Sequence, residues 1–438
     1  MGGPGEPKYV PPAAFGMHPS EAIRGRRSHL LEGRRIVVGV SGSIAAVEVP
    51  RILRELLRHG ASLECVMSPD ALRLITAEAV RFALGHPPVT EITGDVEHVR
   101  FLGPGPEQAD LLLLAPATAN TLGKIAHGID DTPVTTCASV ALGNGVPVLV
   151  APAMHEDMSR NPFVVENLER LRSRGVGIIP PVLEEGESKL AGPEAIAAHV
   201  LHRLGRGPWG GRKVLIVGGA AAEAVDEVRY LTNASSGRLA TELAAQAYYR
   251  GAEVIPWLGE TRQEWPRYLP SPTPFRSVGD LEGILDRQPP VGLSAVFVPA
   301  ALSDYALEPV PGKIRSEENP RLTLTLTRRE KFLPRLRRSF PAPVLLIGFK
   351  LESESSPEAL VRRAREFLQR NSLDAVVANG PRGMGGEETE VYLVRARGKP
   401  HRYTGRKAEV AGKVLDDLAG DVTVPVSEGS SPRPPRSR

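Results

Sequence analysis

The sequence predicts an α/β protein made of two tandem doubly wound, Rossmann-like domains. Short continuous apolar runs alternate with helix-patterned segments, as in parallel strands buried on both faces. A Gly/Pro-rich break, "LGRGPWGG", separates two such series, and "GRKVLIVGGAAAEA" after it echoes "GRRIVVGVSGSIAA" before it. At 438 residues the chain is also too long for one ordinary core.

These features divide the chain into a Pro/Gly-rich leader (1–32), a first domain (33–203), a linker (204–211), a second domain (212–424) and a polar tail (425–438). The tail is too poor in apolar residues to order itself. Within the first domain, strands are expected at "RRIVVGV", "ASLECVMS", "ADLLLLAPA", "VPVLVAPA" and "VGIIPP". One helix should follow the first strand up to about Gly60, and another should span about 69–84. In the second domain, "ATELAAQAYYRGAEVIPWLG" repeats the helix–strand order. Strands follow at "LSAVFVPAA", "PVLLIGF" and "LDAVVAN", with a hairpin at "TEVYLVRARGKPHRYT". "EPVPGKIRSEENPRLTLTL" is expected to begin as an exposed flap and to end in an alternating strand.

Composition narrows the function classes. Hydrophobic residues make up 41% and charged residues 24%, as in a folded globular protein. A net charge of +3 gives no electrostatic case for nucleic acid or an anionic membrane as partner. Two cysteines, Cys65 and Cys137, both in apolar segments, argue against a disulfide framework and for the cytoplasm. No apolar run reaches membrane-spanning length, and the N-terminus has no signal-peptide core.

Chemistry is expected at the strand ends. In "SGSIAA" a strand gives way to a helix at Ser41, Gly42 and Ser43, where free N–H groups and the helix dipole favour a phosphate. An ordinary turn with a serine cap explains the same residues. "APATANTLGKIAHGIDD" places Thr118 and Asn120 at another strand end, where ligands bind in such sheets, although capping alone accounts for them too. "APAMHEDMSRNP" clusters Met154 with His155, Glu156 and Asp157. Adjacent positions on a short turn diverge, and no second His/Cys group has ligand spacing, so no metal site is assigned. His98, in "GDVEHVRF", reads by itself as a helix-surface or capping residue.

In this order the four elements resemble the flavin-binding cysteine decarboxylase family. Beyond the break, "VDEVRYLTNASSGRLA", "AALSDY", "GKI", "LIGF" and "LDAVVAN" are similar to the ligase half of the bifunctional phosphopantothenoylcysteine decarboxylase/phosphopantothenate-cysteine ligases of coenzyme A synthesis. The resemblance spans roughly residues 30–420. "HPSEAIRG" followed by "SGSIAAVE" is most similar to the archaeal branch.

The resemblance implies that the first domain is the decarboxylase and the second the ligase. The first would bind FMN through Gly42, Ser43, Ser68, Thr118 and Asn120, with Met154 near the ring. In this family the cysteinyl CH2–SH is oxidised to a thioaldehyde at the flavin's expense. The C=S group then accepts the electrons as CO2 leaves, and the hydride is finally returned, so no oxidant is consumed. His98 matches the active-site histidine, and His155 stands where much of the family has Asn. The lid cysteine thought to protonate the enethiolate has no match in "EEGESKLAGPEAI", which leaves water or Lys189 for that role.

The second domain would activate 4'-phosphopantothenate with CTP as an acyl-cytidylate. Cysteine's amine would then displace CMP, with Mg2+ accompanying the triphosphate through ligands that the sequence does not identify. Asn233 matches the residue that binds the acyl-cytidylate, and Lys313 matches the catalytic lysine in the flap. Ser235, Ser236 and Gly237 would receive a phosphate, and Ala300, Ala301, Asp304 and Phe349 match the nucleotide lining. Here too the pattern drifts: a Gly-Thr-Arg-Glu run reads Ala220, Ala221, Ala222 and Glu223, "SSGKMG" reads "SSGRLA", and "AND" ends in Gly380. Lost polar contacts of this kind are worth about 1–3 kcal/mol each where charge is involved, so affinity or nucleotide choice would shift.

By the same resemblance the decarboxylase halves form trimers, commonly four of them in a dodecamer, and the ligase halves pair as dimers. Two alternatives stand beside this reading: an enzyme with one degenerate half, and a non-catalytic flavin-binding regulatory protein.

Overall fold

A computed structural model describes residues 17–184, 187–317, 321–352, 356–380 and 386–422. The first sixteen residues of the leader and the polar tail lie outside these. The chain divides into two compact units, Met1–Leu204 and Gly205–Arg438.

The first unit contains β1 (Arg35–Val40), β2 (Ser62–Met67), β3 (Leu111–Ala117), β4 (Val148–Pro152), β5 (Met154–His155), β6 (Gly177–Ile178), β7 (Val182–Glu184) and β8 (Glu187–Lys189). A parallel sheet runs in the order β2-β1-β3-β4-β6. Its centre is buried because β3 is an unbroken apolar run and β1 is apolar from Ile36 on. The order reverses between β1 and β3, which makes their carboxyl ends a topological switch point. A small antiparallel sheet, β5-β8-β7, folds back beside the end of β4.

Two expected helices are each interrupted. After β1 a 3-10 turn, Ile44–Glu48, precedes the helix Val49–Arg58, because Pro50 has no N–H to continue an α ladder backward. The 69–84 segment splits into Pro69–Leu72 and Ala77–Leu84, because Thr76 turns extended and its Oγ1 caps Ala79 N–H at 3.2 Å. Residues 17–32 are packed onto the unit: Leu31 is buried, and N–H groups of Gly25, Arg27 and Leu31 donate to carbonyls of Leu57, Arg58 and His59.

The second unit contains β9 (Lys213–Gly218), β10 (Ala222–Ala224), β11 (Tyr230–Thr232), β12 (Glu253–Leu258), β13 (Thr273–Pro274), β14 (Leu293–Val298), β15 (Tyr305–Ala306), β16 (Thr327–Arg328), β17 (Leu345–Leu351), β18 (Ala375–Asn379), β19 (Glu388–Arg395) and β20 (His401–Arg406). Its main sheet runs β13-β12-β9-β14-β17-β18-β19-β20, parallel up to β18 and antiparallel from there. The reversal now falls between β9 and β14, so the first unit's switch point recurs. Two antiparallel ribbons, β10-β11 and β15-β16, flank it.

The alternating strand expected at the end of the flap is a correction. Among the described residues only Thr327–Arg328 pairs, and Leu322, Leu324 and Leu326 stand exposed. An alternating segment becomes a strand only against a partner, and the described residues supply none there.

Trp209, in the segment read as a linker, is buried in the second unit. Its indole N–H donates to Leu415 O at 2.9 Å, and its ring lies 6.0 Å from that of Phe297. Trp209→Ala removes this packing and leaves a buried carbonyl unpaired, so the second unit should lose about 3–5 kcal/mol. Urea titration followed by circular dichroism measures the loss.

Candidate functional site

In the first unit the strand tips are stitched into a row. Ser68 N–H donates to Val40 O at 3.0 Å, and Ala153 N–H donates to Ala117 O at 3.1 Å. Between them Ser41 Oγ donates to Pro116 O at 2.7 Å and accepts from Thr118 N–H at 3.0 Å. Ser41 is therefore buried and fully engaged, which removes it from the ligand-facing set in "SGSIAA".

Above this row opens a cavity of about 510 Å3, within the roughly 300–1,000 Å3 usual for cofactor sites. Gly42, Ser43, Ser68, Thr118, Asn120, Met154 and His155 all line it. The hydroxyls do act as helix caps: Ser68 accepts from Ala71 N–H and Thr118 from Thr121 N–H, both at 3.2 Å. Capping uses an acceptor lone pair and leaves the Ser68 hydroxyl proton available, while Thr118 Oγ1 also shares a hydrogen bond with Thr121 Oγ1 at 3.0 Å. Gly42 approaches Asp70 so closely that an added Cβ would collide with that side chain and sit 3.2–3.3 Å from its backbone.

Sequence reasoning missed part of the wall. Thr132 and Thr135 cap the helix Pro133–Gly143 reciprocally, and Lys124 is held by Asp131 at 2.7 Å; Thr132, Thr135 and Lys124 line the cavity. The "TPVT" capping pattern was the available signal. Ser188 and Lys189 enter from the β7–β8 hairpin, through its pairing with Met154 and His155. His155 caps the short helix Glu156–Ser159, its Nδ1 3.4 Å from Asp157 Oδ2.

His98 lies elsewhere. It sits half-buried on the helix Glu97–Leu102 and does not line the cavity. Its Nδ1 is the one buried side-chain nitrogen or oxygen without a hydrogen-bond partner among the described residues. The start of that helix is fixed by Thr93, whose O–H and N–H donate to Glu97 at 2.6 and 3.0 Å and hold that carboxyl below its ordinary pKa. Both cysteines are buried, and burial pushes the Cys137 thiol up to about 12, so neither serves as a ready proton donor.

In the second unit Asn233 and Ala301 meet at the β9/β14 switch point. Asn233 Nδ2 donates to Ala301 O at 3.1 Å, Ala301 N–H to Gly219 O at 2.9 Å, and Ala221 N–H to Ala301 O at 3.1 Å. Pairing of Val298 with Gly348 sets Phe349 beside the exit of β14 that carries Ala300. Gly237, at φ +73°, starts the helix Arg238–Tyr249, and the carbonyl of Ser236 accepts from Thr261 Oγ1 at 3.0 Å, tying this start to the end of β12. Asp304 pairs with Lys331 at 3.5 Å. Lys313 is exposed and makes no ion pair with a described residue. The start of the flap is exposed, as expected, and its root is tethered: Val310 N–H donates to Val225 O and Ile314 N–H to Asp226.

No helix among the described residues is long and apolar enough to cross a membrane. No group of three or more His, Cys, Asp or Glu side chains among them could hold a metal ion.

Comparison with known proteins agrees with this division. Residues 24–205 match the Flavoprotein family model, and residues 209–421 match that of the DNA/pantothenate metabolism flavoprotein C-terminal domain. The coenzyme A biosynthesis bifunctional protein CoaBC of Thermococcus kodakarensis is 39% identical over 92% of this chain and 99% of its own length. Its counterpart in Methanocaldococcus jannaschii is 34% identical over 92% and 97%. The crystal structure of the FMN-dependent cysteine decarboxylase SpaF is 32% identical over 40% of this chain and 98% of its own, with a TM-score of 0.35. The chain therefore belongs to the CoaBC family of bifunctional coenzyme A biosynthesis enzymes, with a flavoprotein decarboxylase half and a ligase half.

Proposed function

We propose that the second unit joins 4'-phosphopantothenate to cysteine with CTP, and that the first decarboxylates the resulting 4'-phosphopantothenoylcysteine with FMN. The observation that carries this reading is the cavity at the β1/β3 switch point, whose floor is made of capped helix starts and hydroxyls.

The residues there suit FMN. Gly42 presents its backbone N–H beside the Ser43 hydroxyl at the start of a helical turn, and Ser68, Thr118 and Asn120 supply further polar groups to a phosphate and polyol chain. Met154 offers a polarisable face to a ring, and His155 lies at the cavity wall within reach of a substrate carboxylate. When bound, the flavin supplies reversible two-electron chemistry at the cysteinyl CH2–SH group. His98 is assigned to substrate thiol or carboxylate, delivered from a neighbouring copy of the chain. Exposed apolar residues around the cavity and on the His98 helix, Ile44 (74%), Val47, Val96 and Val99 among them, support such packing. Lys189, on the cavity wall, replaces the missing lid cysteine as the proton source.

In the second unit, Asn233 is assigned to the acyl-cytidylate and Lys313 to the phosphoryl charge that builds as pyrophosphate leaves. Ser235, Ser236 and Gly237 hold a phosphate at the helix start, while Ala300, Ala301, Asp304 and Phe349 border the nucleotide. Mg2+ arrives with the triphosphate, which supplies most of its oxygen ligands. The exposed leucines of the flap support dimeric pairing of the ligase halves.

Purified protein tests both halves. It should be yellow, release CO2 from 4'-phosphopantothenoylcysteine, and release pyrophosphate from CTP only with 4'-phosphopantothenate present, turning over continuously only when cysteine is added. A colourless protein that does not take up FMN would refute the first assignment, and CTP-independent ligation the second. Gly42→Ala pushes Asp70 into the cavity wall, a strain of about 1–3 kcal/mol, so FMN should bind one to two decades more weakly. Fluorescence titration of the apoprotein measures this.

A further inference from the structure

Asp226 is buried in the turn between β10 and β11, and its carboxylate collects four hydrogen bonds. Oδ1 accepts from the N–H groups of Val228 (2.8 Å) and Arg229 (2.6 Å), which by themselves make a local Asx turn. Oδ2 accepts from Arg229 Nη1 at 2.5 Å and, 88 residues along the chain, from Ile314 N–H at 3.1 Å. That last bond is not local chemistry.

The neighbouring residues extend the tie. Glu227 N–H donates to Gly312 O at 3.4 Å, and Glu227 Oε1 accepts from Gly312 N–H at 3.3 Å. Arg229 Nη1 also donates to Ile314 O at 3.1 Å. Backbone on both sides of Lys313 is thereby fixed, while the Lys313 side chain stays exposed. The same ribbon continues through β11 into Asn233, which is bonded to Ala301 at the β14 exit. Burial opposes charge on Asp226, but its hydrogen bonds outweigh that cost and hold its pKa at about 2. The tie is therefore ionic at any working pH.

We propose that Asp226 is a positioning residue for ligation: it clamps the Gly312–Ile314 backbone to the ribbon that carries Asn233, so that Lys313 and Asn233 meet the same acyl-nucleotide. The proposal rests on the assignment of Lys313 above. Asp226 touches neither substrate nor nucleotide and acts only through the placement of Lys313. A misplacement of about 1 Å in such a group costs on the order of 100-fold in rate.

Asp226→Asn keeps an oxygen for Val228 and Arg229 but turns an NH2 toward Ile314 N–H, donor against donor. In the full-length enzyme the ligase kcat should fall on the order of 10- to 100-fold, with the KM for CTP little changed and CO2 release intact. Trypsin should cut faster after Lys313 and Arg315. Asp226→Asn combined with Lys313→Gln should be no slower than Lys313→Gln alone. Glu227→Ala, at an exposed site, should show a smaller version of the same loss and carries the test if Asp226→Asn does not fold.

An unchanged kcat in folded Asp226→Asn, or losses that multiply in the double variant, would overturn the proposal. So would unchanged tryptic cleavage. A fully active Lys313→Gln would instead remove the role of Lys313 itself, and the proposal with it, and that outcome shows in the single variant.

Discussion

His98→Asn should lower CO2 release from 4'-phosphopantothenoylcysteine by about 10²- to 10⁴-fold, the usual contribution of a positioned acid or base, while cysteine-dependent pyrophosphate release continues at the wild-type rate. The structure separates this loss from a folding defect. His98 Nδ1 makes no hydrogen bond to a described residue, so the substitution breaks no such bond there. Asparagine also leaves the Thr93–Glu97 bonds at the helix start in place. The melting temperature should therefore hold, within the ~0.5 kcal/mol typical of substitutions that break no named interaction. Flavin absorbance should also stay normal, since His98 is assigned to the substrate rather than to the cofactor. A colourless His98→Asn protein would place this histidine in cofactor binding rather than in the chemistry.

Lys313→Gln should give the complementary phenotype: ligation falls about 10²- to 10³-fold in kcat, the range for removing one donor to developing charge, with CO2 release and colour untouched. The side chain is exposed and has no ion-pair partner among the described residues, so its loss should cost no measurable stability. Lys313→Arg restores the charge but with a planar, differently placed group, and should recover only part of the rate. Ligation by Lys313→Gln at the wild-type rate would make this lysine an ordinary solvated loop charge.

The sheets were the most legible part of the fold. β1, β3, β4 and β14 are apolar runs bounded by turn residues, and burial on both faces leaves such runs little alternative. The β19–β20 hairpin was readable from its two patterned halves around "RGKP". Helix ends were less so, because Pro50 acts through a backbone hydrogen bond it cannot donate and Thr76 through one side-chain cap, neither of which a periodicity registers. The alternation at Leu322, Leu324 and Leu326 misled for the opposite reason: it reports a face that wants a partner, and these leucines stand exposed among the described residues.

At the site, residues at strand exits were found because the α/β architecture itself points to them. Lys124, Thr132 and Thr135 were not, since they reach the cavity from the far end of one helix and the start of the next. Ser188 depends on a three-strand sheet too short to carry a pattern. Asp226 looks in sequence like any turn aspartate; its partner at Ile314 exists only in three dimensions.

The stitched strand tips of the first unit bear on the thermodynamics of cofactor uptake. Ser41 spends its hydroxyl and its N–H on Pro116 and Thr118, so the two loops that must cradle the cofactor are already joined before it arrives. Little chain entropy is then left to lose on association, and more of the contact energy survives as affinity. Ser41→Ala frees the loops without touching the ligand. Its penalty should appear as a larger unfavourable binding entropy in calorimetry, with the same groups still in contact.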